Sequence, residues 1–219
     1  MKRTRLMRRT QYVLFLTVAA ALTAAADDTA MRLDKAAAVL DKMTGHGLRS
    51  EKIAQADCIA VIPGFKKGAA VVGVGRGLGF ISCRNGGSWS APGAVTLDSG
   101  SLGVQVGVEE IDIVILSLDP ARRSKLLSDR FTIGSDASAA WGNGKSAHED
   151  PNTKILFYGD TKGAFAGFDL DGTTLKPDES AVKALYGKKL SNREIVDGGG
   201  ATPAVAKPFI ANLAQASNR

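Results

Sequence analysis

The sequence predicts an α+β fold: a single β-rich domain of mainly antiparallel strands, with helices at the N- and C-terminal ends. Three observations carry this. Runs of β-type residues crowd the middle of the chain, from Cys58-Ile59-Ala60-Val61-Ile62 to Ile111-Asp112-Ile113-Val114-Ile115-Leu116-Ser117-Leu118. Apolar residues at helical spacing flank that middle on both sides. No long linker breaks the chain, and no period of about 20 to 50 residues suggests a solenoid, so 27–219 reads as one domain.

Residues 1–26 read as an export signal rather than as fold. Lys2, Arg3, Arg5, Arg8 and Arg9 form a basic start, and Tyr12 to Leu22 is an apolar run shorter than the ~20 residues a membrane span needs. Ala24-Ala25-Ala26 then supplies small residues for cleavage before Asp27. An uncleaved anchor is the alternative. The segment also changes the charge argument. The chain has 28 Lys+Arg and 22 Asp+Glu, a net +6; without the five basic residues above the balance is 23 − 22 = +1. Nucleic-acid binding, which needs a concentrated basic surface, loses its support. Export to the periplasm or cell envelope is the expectation.

Between 28 and 43, Leu33, Ala36, Ala37, Leu40 and Met43 repeat near i, i+3, i+4 and i+7, and Gly45-His46-Gly47 follows as a stop. This helix covers a sheet more readily than it lies on a membrane, because its polar face carries acids as well as bases. Ser50 to Gln55 is a second short helix before the Cys58 strand. Pro63-Gly64-Phe65-Lys66-Lys67-Gly68 reads as a turn closing that strand. Asn85-Gly86-Gly87 is another turn, and Asp119-Pro120 caps a short helix over 121–127. Phe131 to Ile133 is strand; Lys154 to Tyr158 and Ala164 to Leu170 form a hairpin around 159–163. Asp178 to Tyr186 is a helix between Pro177 and Gly187, Ser191 to Val196 is a short helix or strand, and Pro203 to Ala216 is a last helix interrupted by Pro208.

The middle is marked by Gly73, Gly75, Gly77 and Gly79, set at a spacing of two. Successive strand side chains point to opposite faces, so this spacing strips one face bare. Glycine in a strand interior loses backbone entropy and packs nothing, which implies that another backbone or a ligand lies close to that face. Around it stand Ile62-Pro63-Gly64-Phe65-Lys66-Lys67-Gly68-Ala69, Arg84-Asn85, Trp89-Ser90-Ala91-Pro92 and Gly100-Ser101-Leu102-Gly103-Val104-Gln105. Further on come Phe131-Thr132-Ile133-Gly134-Ser135-Asp136-Ala137, Tyr158, Lys162-Gly163-Ala164-Phe165-Ala166-Gly167 and Tyr186-Gly187. As an ordered set, these motifs resemble the SYLF domain family over most of the chain. The resemblance implies a lipid-binding module, known from eukaryotic proteins that bind phosphoinositides and, in some members, actin. It also implies a bacterial exported member here.

Catalytic chemistry finds little support. The glycine run fails G-x-G-x-x-G, because Leu78 or Phe80 stands at the last position. Gly144-Lys145-Ser146 lacks the first glycine of a phosphate loop, Ala139 standing in its place. His46 and His148 are the two histidines, and Cys58 and Cys83 lack C-x-x-C spacing, so no metal set forms. Ser101 lacks the flanking glycine of a nucleophile elbow. The chain reads as non-enzymatic, with no cofactor and no metal. Cys58 and Cys83 form a disulfide between neighbouring strands or remain two buried thiols; strand geometry decides.

The positive case rests on basic residues beside glycine: Lys66 and Lys67, Arg76 within the glycine run, and Arg84 before Asn85-Gly86-Gly87. Lysine and arginine beside exposed backbone N–H groups suit an anionic headgroup. Phe65 and Trp89 either insert at headgroup level or belong to the core. The leading expectation is an envelope module that binds an anionic phospholipid or membrane surface. The rival is a structural or protein-interaction domain whose glycine face docks a protein partner.

Overall fold

The structure, a computed structural model, describes residues 26–45, 47–69, 74–99, 107–133, 137–141, 154–161 and 172–218. Residues 1–25 and the segments 100–105 and 164–170 fall outside these residues, and the expected cleavage point, between Ala26 and Asp27, coincides with the first described residues.

The first helix, α1 (26–44), buries the stripe its periodicity indicates: Leu33, Ala36, Ala37, Leu40 and Met43 are all nearly inaccessible. Thr44 Oγ1 donates to the carbonyls of Leu40 and Asp41 at its end. Helix α2 (Ser50–Gln55) buries Ile53 and leads into the sheet. The strands are β1 (Cys58–Ala69), β2 (Val74–Asn85), β3 (Ser88–Trp89), β4 (Gly93–Ser99), β5 (Gly107–Ser117), β6 (Phe131–Thr132), β7 (Ala137–Trp141), β8 (Ile155–Thr161) and β9 (Thr174–Pro177). They pair in the order β6-β9-β4-β2-β1-β5-β8-β7, with β3 on β2. Every pairing is antiparallel except β7 on β8. The α+β reading with helices at both ends holds.

Two packed layers lie on the two faces of the sheet. On one side Ile59, Val61, Phe80, Val114, Leu116 and Leu156 meet α1, α2 and two later helices, α4 (Glu179–Tyr186) and α6 (Lys207–Ser217). The Phe80 and Phe209 rings pack there at a tilt of 55°, with centroids 6.3 Å apart. On the other side Ile62, Phe65, Ile81, Leu97, Ile113, Phe157 and Leu175 fill the concave face of the curled sheet, closed by Leu126 and Leu127 of the short helix α3 (Arg123–Leu126) and its end. Asp119 and Pro120 start that turn as expected, with the Asp119 carboxylate accepting from Ala121 N–H at 3.0 Å.

Cys58 and Cys83 stand directly opposite one another on β1 and β2 and are joined by a disulfide, which decides between the two readings.

Three expectations change. Residues 63–68 are not a turn: β1 runs straight through them, with a register shift between Val61 and Lys66. Pro63 has no N–H for the ladder, and Gly64 takes φ +56°, so the chain bulges rather than reverses. Asp112 on β5 accepts the Gly64 N–H at 2.9 Å and fixes the bulge. Residues 159–161 likewise continue β8 instead of turning. Pro208 does not interrupt the last helix but occupies its first turn, where the missing N–H costs nothing. The helix α4 has its cap at Asp178 and its stop at Gly187, φ +68°. A capping box at Ser191 and Glu194 starts the short helix α5 (Asn192–Glu194).

Candidate functional site

The bulge sets the site. Because it adds a residue, Ile62 and Phe65 both point into the concave layer, and Lys66 is turned to the opposite, helix-covered side. There it lies across from Glu110 on β5 and Arg76 on β2, and Arg76 lies across from Asp98 on β4. The row Glu110–Lys66–Arg76–Asp98 therefore crosses four adjacent strands. Helix α1 runs past this row and brings Asp28, Arg32 and Lys35 to it. Between helix and sheet opens a groove of about 750 Å3, floored by the backbone of Gly75 and Gly77 and by Leu78. A second hollow of about 550 Å3 adjoins it and shares Lys35, Pro63, Gly64 and Lys66.

The groove holds its cations in two ways. Arg32 is held by Asp178 at 3.1 Å and Asp28 at 3.3 Å. Lys42, at the far end, is clamped by Asp160 at 2.6 Å and Asp112 at 3.6 Å; the hydrogen bond to Asp160 raises its pKa above the ordinary lysine value. Arg76 lies 3.7 Å from Asp98, whose other oxygen meets Lys176 at 2.5 Å. Lys35 and Lys66 are exposed, and among the described residues neither enters an ion pair.

The six residues singled out from the sequence do not converge. Lys66 and Arg76 share the groove. Lys67 follows on β1, opposite Gly75 and Glu109; its side chain falls outside the described residues. Phe65 is fully buried and Trp89 nearly so, which corrects the reading of either as a membrane-inserting ring. Phe65 is walled in by the glycine strand, and Trp89 Nε1–H donates to Ser217 Oγ at 3.0 Å. Arg84 belongs to the other end of β2, about 26 Å from Arg76 at ~3.3 Å per residue. Its guanidinium lies 4.0 Å over the Trp89 ring and donates to the carbonyls of Ile53 and Ala54, and burial lowers its pKa. Arg123 braces the same end: it grips both oxygens of Asp57, at 3.0 and 2.7 Å, and also donates to the Arg84 carbonyl. Arg84 and Trp89 thus hold the fold. Sequence reasoning missed Arg32 and Lys35, whose available signal was their i, i+3 spacing beside the buried stripe of α1.

The glycine face is also accounted for. A Cβ on Gly75 would meet Phe65 Cζ and one on Gly77 would meet Ile62 Cγ2, each at 2.4 Å. On Gly79 it would meet the carbonyl oxygen of Val61 at 2.1 Å. The close neighbour implied by the glycines is the chain's own strand β1, so the face is not open for a partner to dock. Gly73 falls outside the described residues.

Among the described residues no group of three or more His, Cys, Asp or Glu is placed to hold a metal ion, and no helix is long and apolar enough to cross a membrane.

Residues 98–216 match the family model described as "Ysc84: Las17-binding protein actin regulator", more than half of the chain. The chain belongs to the Ysc84 (SYLF) family. Its match to that family starts at the end of β4 and takes in β5 to β9 and the C-terminal helices. Among relatives, Protein YSC84 of Saccharomyces cerevisiae is 30% identical over 161 residues, covering 69% of this chain and 34% of that protein. An SH3 domain-containing protein of Schizosaccharomyces pombe is 31% identical over 144 residues, 62% of this chain and 33% of its own length. The SH3 domain-containing YSC84-like protein 1 of Xenopus laevis is 31% identical over 143 residues, 62% of this chain and 42% of its own. The chain thus spans about a third to two fifths of these relatives. Relatives of the Ysc84 family are named as binding or regulator proteins rather than as enzymes. No solved structure matches.

Proposed function

We propose that this chain is a non-enzymatic module that binds anionic phospholipid surfaces through the groove between α1 and the β1 bulge, working in the cell envelope after export. The observation that carries this reading is the pair Lys35 and Lys66, exposed on one open groove and, among the described residues, in no ion pair. A cation outside any ion pair remains available to a phosphate oxygen, and Arg76 beside them adds a planar, bidentate donor. The other cations along the groove are less available: Arg32 and Lys42 are already ion-paired with aspartates.

Co-sedimentation with phosphatidylglycerol and phosphatidylcholine vesicles tests it. The parent chain is expected to pellet with the anionic vesicles only. Near a charged surface each basic residue contributes about 1 kcal/mol, so reversing Lys35 and Lys66 together to glutamate should weaken binding more than ~10-fold, screening included. Equal pelleting with both lipids, or a double variant that binds like the parent, sinks the reading. A protein partner is the second reading, favoured by relatives named for Las17 binding, such as "LAS seventeen-binding protein 3" of Saccharomyces cerevisiae. On that reading vesicles leave the protein in the supernatant.

A further inference from the structure

Resting on the reading just given, we infer that Asp98 is a built-in counter-anion: it holds Arg76 in the place an incoming phosphate would take, so a headgroup binds by displacing it. Arg76 and Asp98 face one another across β2 and β4, and both line the groove. Their contact is loose, 3.7 Å from Nε to the nearer oxygen, and the Arg76 side chain is 71% exposed. An exposed pair of this kind is worth little, about 0–1 kcal/mol, and is exchanged readily for another anion. What would otherwise oppose the exchange is a stranded carboxylate. Lys176 on β9 removes that cost, because it holds the second Asp98 oxygen at 2.5 Å and remains there when Arg76 leaves. Lys176 does not line the groove, so its part is to keep Asp98 satisfied rather than to touch a headgroup. Asp98 is a positioning residue acting through Arg76. It sets the affinity of the groove and favours ligands with enough negative charge to compete with a carboxylate.

The test is a set of variants of the full chain titrated with phosphatidylglycerol vesicles. Asp98→Asn should tighten binding about fivefold, the value of one freed cation near a charged surface. Asp98→Glu should restore parent affinity. Removing any acidic charge raises the local potential, so the deciding readout is coupling: in an Arg76→Gln background the gain from Asp98→Asn should shrink below about twofold. A gain of equal size in both backgrounds makes Asp98 a general field effect and overturns the inference. Asp98→Thr, suited to a strand, gives a second route should asparagine disturb β4. If the parent binds and both neutral Asp98 variants merely match it, this inference falls alone. If parent and variants all fail to bind, it falls together with the membrane reading. Tightening toward inorganic phosphate but not toward vesicles overturns the membrane as the source of the anion.

Discussion

The Val61 carbonyl would lie 2.1 Å from a Cβ on Gly79, whereas the nearest atoms at Gly75 and Gly77 belong to side chains. This difference orders three substitutions. Valine at Gly75 or Gly77 pushes Phe65 or Ile62 off its rotamer, an overpacking cost of ~1–3 kcal/mol. At Gly79 the neighbour is backbone and cannot rotate away, so the β1–β2 separation must give and Gly79→Val should melt lowest of the three. Thermal melts check the order, and a midpoint at or above the parent's for Gly75→Val refutes close packing. A second residue-scale prediction concerns Asp178. Burial works against its charge, but hydrogen bonds from Ser180, from Ala181 N–H and from Arg32 outweigh it and hold the pKa below the ordinary 3.8. A depressed folded-state pKa gives stability that is present above about pH 4 and lost as pH falls through the folded value. Asp178→Asn keeps a capping oxygen yet removes the charge facing Arg32. It should lower the midpoint at neutral pH by a few degrees, about 1 kcal/mol. The gap to the parent should close toward about pH 2. A gap that persists in acid would show that the charge was not the cause. The glycine face was legible because strand alternation is local. The fates of Phe65 and Trp89 were not, since burial depends on which strand or helix arrives opposite, here the glycine strand and Ser217.

The helix with its own start and stop chemistry was read closely: α4 has its cap and glycine stop in place, and α2 spans Ser50–Gln55 as expected although no side chain caps it. Strands β4 and β9 left no clear mark. β4 opens on Gly93 and Ala94 straight after Pro92, β9 has four residues, and both owe their form to long-range pairing, β4 with β2 and β9 with β4. The 63–68 bulge was misread for a related reason. Pro-Gly is ordinarily a turn signal, and only β5, through Asp112, converts it into a bulge. The β1–β2 hairpin that carries the bulge is tied at its far end by Cys58–Cys83, with 25 residues of separation. A loop of that length makes the bond worth about 3 kcal/mol in the chain-entropy account. Reduction, or replacement of both cysteines by serine, should therefore lower the melting midpoint markedly. Vesicle binding measured well below that midpoint should hold, because the groove sits at the opposite end of the hairpin. Loss of binding in a folded, reduced protein would show that the hairpin transmits strain to the groove.

At the scale of the whole molecule, charge separates two ways of meeting a membrane. The +6 of the full chain becomes +1 without the five basic residues before Tyr12, so a chain lacking 1–26 has almost no net attraction for an anionic surface. Any binding it shows must come from how the charges are arranged, with Lys35, Lys66 and Arg76 gathered at one groove. Such local attraction is screened within about 10 Å at 0.1 M salt. Affinity of the shortened chain for phosphatidylglycerol vesicles should therefore fall at least ~10-fold between about 0.05 and 0.5 M salt. The Lys35→Glu, Lys66→Glu double variant should show a shallower slope as well as weaker binding, since fewer cations remain to be screened. The melting midpoint should scarcely change over the same range, because the fold rests on two apolar layers rather than on surface ion pairs. If the full chain binds and the shortened chain does not, attraction belongs to the N-terminal segment and the groove has no part in it. If the shortened chain binds with no dependence on salt, apolar contact rather than the lysines holds it to the bilayer.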